Sequence, residues 1–245
     1  MSDTFLDFIE QSNEAPSIKE LCQLFQDAIG RHGYERMCLA AVTPSAQKAF
    51  TNKEVGQALA VRCPDDWLAQ YMTKRYYEND PILLAYPGRH APYLWDDVIA
   101  TGQFSAKQRL IVEQGREAGL HNGVAIPLHG PQGEGCLLTL ATDNVQVDNR
   151  YILGQLHALA MQFYVAYGAL ARNAPATTAP LRLTAREREC LTWTARGKSA
   201  WAIGMILGVS ENTINFHLKS AMRRLGTTNR VQAVAVAMGN CLIQP

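Results

Sequence analysis

One break constrains this chain more than any other feature. Asn173-Ala174-Pro175-Ala176-Thr177-Thr178-Ala179-Pro180 holds two prolines, small residues and no charge. Proline has no N–H to give a helix or a sheet ladder, so the run reads as a semi-flexible linker and not as part of a core. It divides the 245 residues into a larger domain, 1–172, a linker, 173–181, and a smaller domain, 182–245; both domains are of ordinary size. Charge divides with them. From Arg182 onward nine Lys and Arg face three Glu, a net +6, while the whole chain carries only +1, leaving −5 for residues 1–181. A small basic domain tied to a larger acidic one points to a polyanion partner for the smaller part alone.

Several classes are excluded early. No stretch approaches eighteen uninterrupted apolar residues, so no membrane span is expected. The start, Met1-Ser2-Asp3-Thr4-Phe5, carries an acid and no basic cluster, unlike a secretory signal, and a cytoplasmic location follows as the default. Cys22, Cys38, Cys63, Cys136, Cys190 and Cys241 form no C-x-x-C pair and no zinc-ligand spacing. They read as reduced thiols, with no metal and no cofactor expected.

Signals alternate in the larger domain. Apolar residues at 18, 21, 24, 25, 28 and 29 predict an amphipathic helix over Ile18–Ile29. Met37–Val42 reads as a buried strand, with Val55–Val61 and Pro92–Trp95 as weaker strand candidates. Pro64–Tyr77 has helical spacing, and Ser105 is a candidate N-cap for a helix reaching Gly119. Gly123–Leu128 and Cys136–Thr142 flank a Gly- and Pro-rich turn, a hairpin signature. From Asp148 to Arg172, residues Ile152, Leu156, Leu159, Phe163, Tyr167 and Leu170 line one face of a long helix. The fold class expected is α+β: an α/β/α sandwich with an antiparallel sheet, then an all-α four-helix domain.

That second domain has no strand signal. Thr184-Ala185-Arg186-Glu187 is a capping box, and its helix stops at Gly197. Ser199 caps a second helix. Gly208-Val209-Ser210 makes a tight turn, Ser210 caps a third helix to about Leu225, and a fourth starts at Thr228. Two short helices joined by a three-residue turn with Gly form a helix-turn-helix, whose second member enters the major groove of double-stranded DNA. On that helix Asn212, Asn215, Phe216, Lys219, Ser220 and Arg223 share one polar, basic face. Asn215 and Lys219 are candidates for base edges, since Asn pairs with adenine and Lys with guanine. Thr213, Arg223 and Arg224 are candidate phosphate anchors.

Leu183-Thr184-Ala185-Arg186-Glu187-Arg188-Glu189, Ala195-Arg196-Gly197-Lys198, Ser210 to His217 and Arg224-Leu225-Gly226 resemble the helix-turn-helix domain of the LuxR family over nearly all of 182–243. One departure stands in the second helix, where the family's usual Glu-Ile-Ala is replaced by Ala202-Ile203-Gly204. That Glu usually makes a structural ion pair, so the resemblance implies that this domain is held differently.

A regulator needs an input. Residues 1–172 contain no acidic phosphorylation pocket on a βα repeat and no glycine-rich phosphate loop. They do contain Trp67 and Tyr71 one helical turn apart, then Asp80-Pro81, then Trp95. Trp donates, Tyr donates or accepts, and ionised Asp accepts, a set able to fix a ligand with one amide and one or two carbonyls in an apolar pocket. These residues alone also fit aromatic core packing with an Asp-Pro turn. Together with Gly123, they fall at the spacing of the N-acyl-homoserine-lactone-binding domain of quorum-sensing LuxR-type regulators. The resemblance implies that Trp67 donates to the lactone carbonyl, that Asp80 accepts from the ligand amide, and that Tyr71 and Trp95 close over the ligand.

Many relatives carry Tyr-Pro just before this helix, the Tyr donating to the ligand's amide carbonyl. Here it is Cys63-Pro64, and a thiol donates weakly; Thr139, at a position where relatives carry a hydroxyl, is expected to supply that bond. The expected function is a lactone-responsive regulator that binds a two-fold symmetric promoter site as a homodimer. An alternative keeps the DNA-binding domain but gives Cys63, Ile82 and Thr139 a different small carbonyl ligand to shape. An acyl hydrolase using Cys136 with His121 or His129 is disfavoured, because no nucleophile elbow is readable.

Overall fold

In the computed structural model the chain divides into two compact units, residues 1–129 with 134–175 and residues 176–245. The structure describes residues 2–43, 46, 58–130, 134–144, 150–173, 182–240 and 242–244. Of the linker expected over 173–181, Asn173 is the last residue of the long helix Leu153–Asn173, and residues 174–181 lie outside the described residues, as do the hairpin turn at 131–133, strand residues 55–57 and helix positions 148 and 149.

The first unit opens with α1 (Ser2–Glu14) and α2 (Ile18–Gly30). Ser17 caps α2 by accepting from the Glu20 N–H at 3.2 Å, as a Ser at that position should. Five strands follow among the described residues: β1 (Arg36–Ala41), β2 (Ala58–Val61), β3 (Tyr93–Leu94), β4 (Asn122–His129) and β5 (Gly135–Thr142). They form one antiparallel sheet in the order β2-β1-β5-β4-β3. The β4–β5 hairpin is the one foreseen, with Val124 opposite Leu140 and Ile126 opposite Leu138.

Period-two alternation assigns the two faces of the sheet. Met37, Leu39, Val124, Ile126, Leu138 and Leu140 are buried in a core with Phe25 of α2 and Phe163 of α7 (Leu153–Asn173). Phe8 of α1 stacks on Phe25 at 5.9 Å. Over the other face lie α3 (Asp65–Thr73), α4 (Pro81–Leu84), α5 (Trp95–Thr101) and α6 (Ala106–Glu117). The result is the expected α/β/α sandwich. Three local readings need correction. Pro64 is the N-cap of α3 and not its first helical residue. Trp95 does not end a strand; it opens α5, where Asp96 and Asp97 in the first turn favour a helix start. Helix α1 had no counterpart in the sequence reading.

The second unit holds α8 (Ala185–Ala195), α9 (Ala200–Leu207), α10 (Glu211–Arg224) and α11 (Arg230–Gly239). Thr184 and Glu187 complete the capping box, and Ser199 and Ser210 cap α9 and α10. Gly197 and Gly208 end α8 and α9 with φ of +77° and +67°, a left-handed turn that glycine adopts without steric cost. The fourth helix starts two residues later than foreseen, capped by Asn229; Thr228 instead donates its N–H to Gln232. Leu191, Ile203, Ile214, Leu218, Ala221 and Ala233 close the core.

Candidate ligand cavity and nucleic-acid interface

The open face of the sheet carries a cavity of about 440 Å³, within the range that encloses a small ligand. Its floor is made of small side chains: Cys38 and Ala40 of β1, and Thr139 and Ala141 of β5. Its roof is α3. None of that helix's side chains is buried, although Trp67, Leu68, Tyr71 and Met72 line the cavity. An amphipathic helix normally hides its apolar face against a core; here that face is half-buried and lines the cavity. Ile82, Leu83, Trp95, Ile99 and Ile111 complete the walls.

Asp80 is the acid of the cavity. It caps α4, with Oδ1 accepting from the Ile82 N–H at 2.8 Å, while Oδ2 accepts from the Tyr71 hydroxyl at 2.7 Å. Burial pushes its carboxyl above the usual carboxylate range, and the Tyr71 hydroxyl and the Ile82 and Leu83 N–H groups pull it partly back. A carboxylate has about four lone-pair sites, so Asp80 retains acceptor capacity. Trp67 packs at 5.7 Å from Tyr71 and 6.0 Å from Tyr76; its indole N–H makes no hydrogen bond among the described residues. The Trp95 indole N–H is buried without a partner among the described residues. Gly123 explains how Trp95 fits: a Cβ there would sit 2.4 Å from the indole ring.

The structure therefore brings Cys63, Trp67, Tyr71, Asp80, Ile82, Trp95 and Thr139 to one cavity. Two of these are less available than the sequence implied. The Cys63 thiol donates to the Met37 carbonyl at 3.7 Å, and the Thr139 hydroxyl donates to the Cys38 carbonyl at 3.3 Å. Sequence reasoning missed Arg36 and Cys38, which share the cavity side of β1; the strand's own alternation could have found them. It also missed Gln114 of α6, whose side-chain oxygen accepts from Tyr76 at 2.7 Å and from Gln70 of α3. No local sequence pattern pairs α3 with α6. Cys136, the disfavoured nucleophile, is buried on β5 with its thiol pushed up to about 12 by that burial, the opposite of what a thiolate nucleophile needs.

In the second unit α10 presents Lys219 and Arg223 exposed, with Phe216 67% exposed beside them. Asn215 is partly committed: its Oδ1 accepts from Arg230 at 2.8 Å. The Thr213 hydroxyl sits 2.9 Å from that of Ser210 in the helix cap. Arg224, a candidate phosphate anchor, is partly committed, its Nε donating to Glu187 at 3.0 Å. Glu187 is buried on α8 and also accepts from Ser220 at 2.7 Å and from the Thr184 N–H at 2.8 Å. Burial alone would raise its carboxyl; those donors and the Arg224 charge hold it below the usual range. This cluster ties α8 to α10. Gly204 answers one half of the departure, since a Cβ there would meet the Val209 carbonyl at 2.7 Å.

An apolar cavity with a few polar groups in one unit, and an exposed basic helix in a helix-turn-helix in the other, define a small-molecule-responsive transcriptional regulator. The chain belongs to the LuxR family of quorum-sensing regulators: the autoinducer binding domain matches residues 17–172, and the luxR family of bacterial regulatory proteins matches residues 181–237. It is 28% identical to the transcriptional activator BjaR1 of Bradyrhizobium diazoefficiens, over 98% of this chain and 96% of that protein. It is 35% identical to the transcriptional activator VanR of Vibrio anguillarum, over 74% of this chain and 75% of that one. The crystal structure of Escherichia coli SdiA shares the fold, with a TM-score of 0.75, 22% identity and 98% of both chains covered. These relatives are regulators of transcription and not enzymes.

Proposed function

We propose that residues 1–172 bind an N-acyl-homoserine lactone and that residues 182–245, joined to them through 173–181, bind a two-fold symmetric promoter element as part of a cytoplasmic homodimer that activates transcription. The observation that carries this reading is the Asp80–Tyr71 pair facing an apolar cavity of about 440 Å³. Asp80 accepts the ligand amide N–H, Trp67 donates to the lactone carbonyl, Tyr71 and Trp95 close over the ligand, and Thr139 turns its hydroxyl from the Cys38 carbonyl to donate to the ligand's amide carbonyl. Bound ligand stabilises the folded domain by mass action, and the dimer sets two α10 helices against successive major grooves. Activation follows the printed description of BjaR1 and VanR.

A reporter assay tests it. Asp80→Ala should abolish the lactone response, because a hydrogen bond to a charged group contributes about 1.5–3 kcal/mol; an unchanged response sinks the reading. Lys219→Ala should weaken promoter binding by about 1–3 kcal/mol and relax specificity at one base pair. Arg223→Ala should weaken binding uniformly, as the loss of a phosphate contact does. A second reading, a different small carbonyl ligand, is favoured by the committed Cys63 thiol and by SdiA, which has been seen in complex with octanoyl-rac-glycerol. A panel of lactones and acylglycerols against one reporter separates the two.

A further inference from the structure

Arg36 is the one Lys, Arg, Asp or Glu among the described strand residues of the sheet. Alternation puts it on the cavity side of β1 with Cys38 and Ala40, opposite Ala141 of β5. Every neighbour on that floor is small, so this long cation is out of pattern. Its side chain is only 17% exposed. Among the described residues its partners are few: Nη1 donates to the Gly119 carbonyl at 3.1 Å, and Nη2 stands 3.9 Å from Asp143, an acid that is 60% exposed. A guanidinium has five N–H donors in a fixed fork, so most of its capacity is unspent. It also lies close enough to Cys63 to act on that thiol's ionisation. The cation thus stands beside the residue whose weak donor leaves a ligand oxygen unserved.

We propose that Arg36 is a ligand-binding residue that takes a head-group oxygen, and that it lets the cavity accept an N-acyl-homoserine whose lactone has been opened to the carboxylate. The inference rests on the acyl-homoserine reading above. Asp80 and Arg36 supply one negative and one positive charge, matching a ligand amide N–H and a ligand carboxylate. A guanidinium binds a carboxylate in a bidentate fork more strongly than it binds a neutral carbonyl. A purely structural Arg36, tethering the turn at Gly119, would be indifferent to the form of the ligand.

Titration calorimetry on the full chain decides it. The probes are the best-binding straight-chain N-acyl-homoserine lactone from butanoyl to dodecanoyl and its ring-opened carboxylate. The wild type should bind the two within about tenfold of each other. Arg36→Met should weaken the carboxylate by about 30-fold and the lactone by less than about fivefold. Arg36→Lys, which keeps the charge and loses the fork, should fall between them on the carboxylate and serves alone if the Met variant does not fold. A wild type that binds lactone but prefers it to the carboxylate by more than about 100-fold overturns the inference. Equal losses for both probes in the Met variant do so as well. A wild type that binds none of the lactones overturns the acyl-homoserine reading instead.

Discussion

The roof helix α3 and the recognition helix α10 belong to the same chain and are finished to different degrees. Helix α10 buries Ile214, Leu218 and Ala221 against its neighbours and keeps its polar face for a partner. Helix α3 buries no side chain at all; its apolar face lines a cavity. The DNA-binding unit packs around one core, whereas the sensing unit has a larger core on the α1, α2 and α7 side of the sheet and, on the other side, a smaller cluster of Ile82, Tyr86, Tyr93, Val98, Ala125 and Leu137 beside the cavity. Under the proposed function, a ligand that covers the cavity's apolar walls adds stability at about 25 cal/mol per Å² of apolar surface buried.

The comparison breaks most sharply at Gly123. A side chain there meets the Trp95 ring at 2.4 Å and must displace it from the cavity wall. Gly123→Val should reduce lactone affinity by more than about 100-fold, or 2.7 kcal/mol, measured by titration. Promoter binding by the DNA-binding unit should be untouched. If affinity survives, Trp95 is not a wall that the ligand needs.

Glu187 tests the other side. It is buried, and three donors surround it. Glu187→Ala leaves those donors unmatched and should destabilise the DNA-binding unit by about 2 kcal/mol, a moderate value because the Arg224 side chain is half-exposed. Its folded-state carboxyl is depressed, so its contribution is present above the ordinary Glu range and is lost as pH falls through the lower folded value. Thermal melts from neutral to acidic pH check both the size and the sign. A variant that melts like the wild type at neutral pH would show that the cluster adds nothing to the stability of this unit.

Gly204 follows with a smaller effect. Ala is the usual family residue at this position, yet a Cβ here would press on the Val209 backbone carbonyl. Gly204→Ala should cost about 1–2 kcal/mol by overpacking, read as a lower melting temperature of the DNA-binding transition. A stabilised variant would mean that the turn relaxes freely and that helix propensity wins.

These contrasts also explain what the sequence made legible. Caps are local, so Thr184, Ser199, Ser210 and Ser105 could be placed from four-residue windows. The hairpin and the core stripe of α7 follow from periodicity. Helix α1 escaped because it buries little more than Phe8 and Ser12 and shows no sustained apolar repeat. The N-terminus of α5 was hidden by the extended pair Tyr93–Leu94 running into it. Within the site, the aromatic and acidic set around Asp80 was readable as a resemblance. The hydrogen-bond commitments of Cys63, Thr139, Asn215 and Arg224 were not, because each partner comes from a distant segment.

The smallest expected effect is a pH dependence confined to the sensing unit. Burial raises the Asp80 carboxyl above its unfolded range, so the folded, unliganded domain holds this proton longer than the unfolded chain. Its stability therefore declines as pH climbs through the raised value. A ligand amide N–H favours the ionised carboxylate and lowers the value again. Lactone affinity should then increase with pH across that interval, by a few-fold and by at most about tenfold per pH unit, and level off above it. The DNA-binding unit, whose Glu187 is shifted in the opposite direction, should contribute nothing to this slope. Titrations between mildly acidic and neutral pH measure it, and Asp80→Asn should flatten it at a weaker affinity. A slope that persists in the Asn variant would assign the proton to another group.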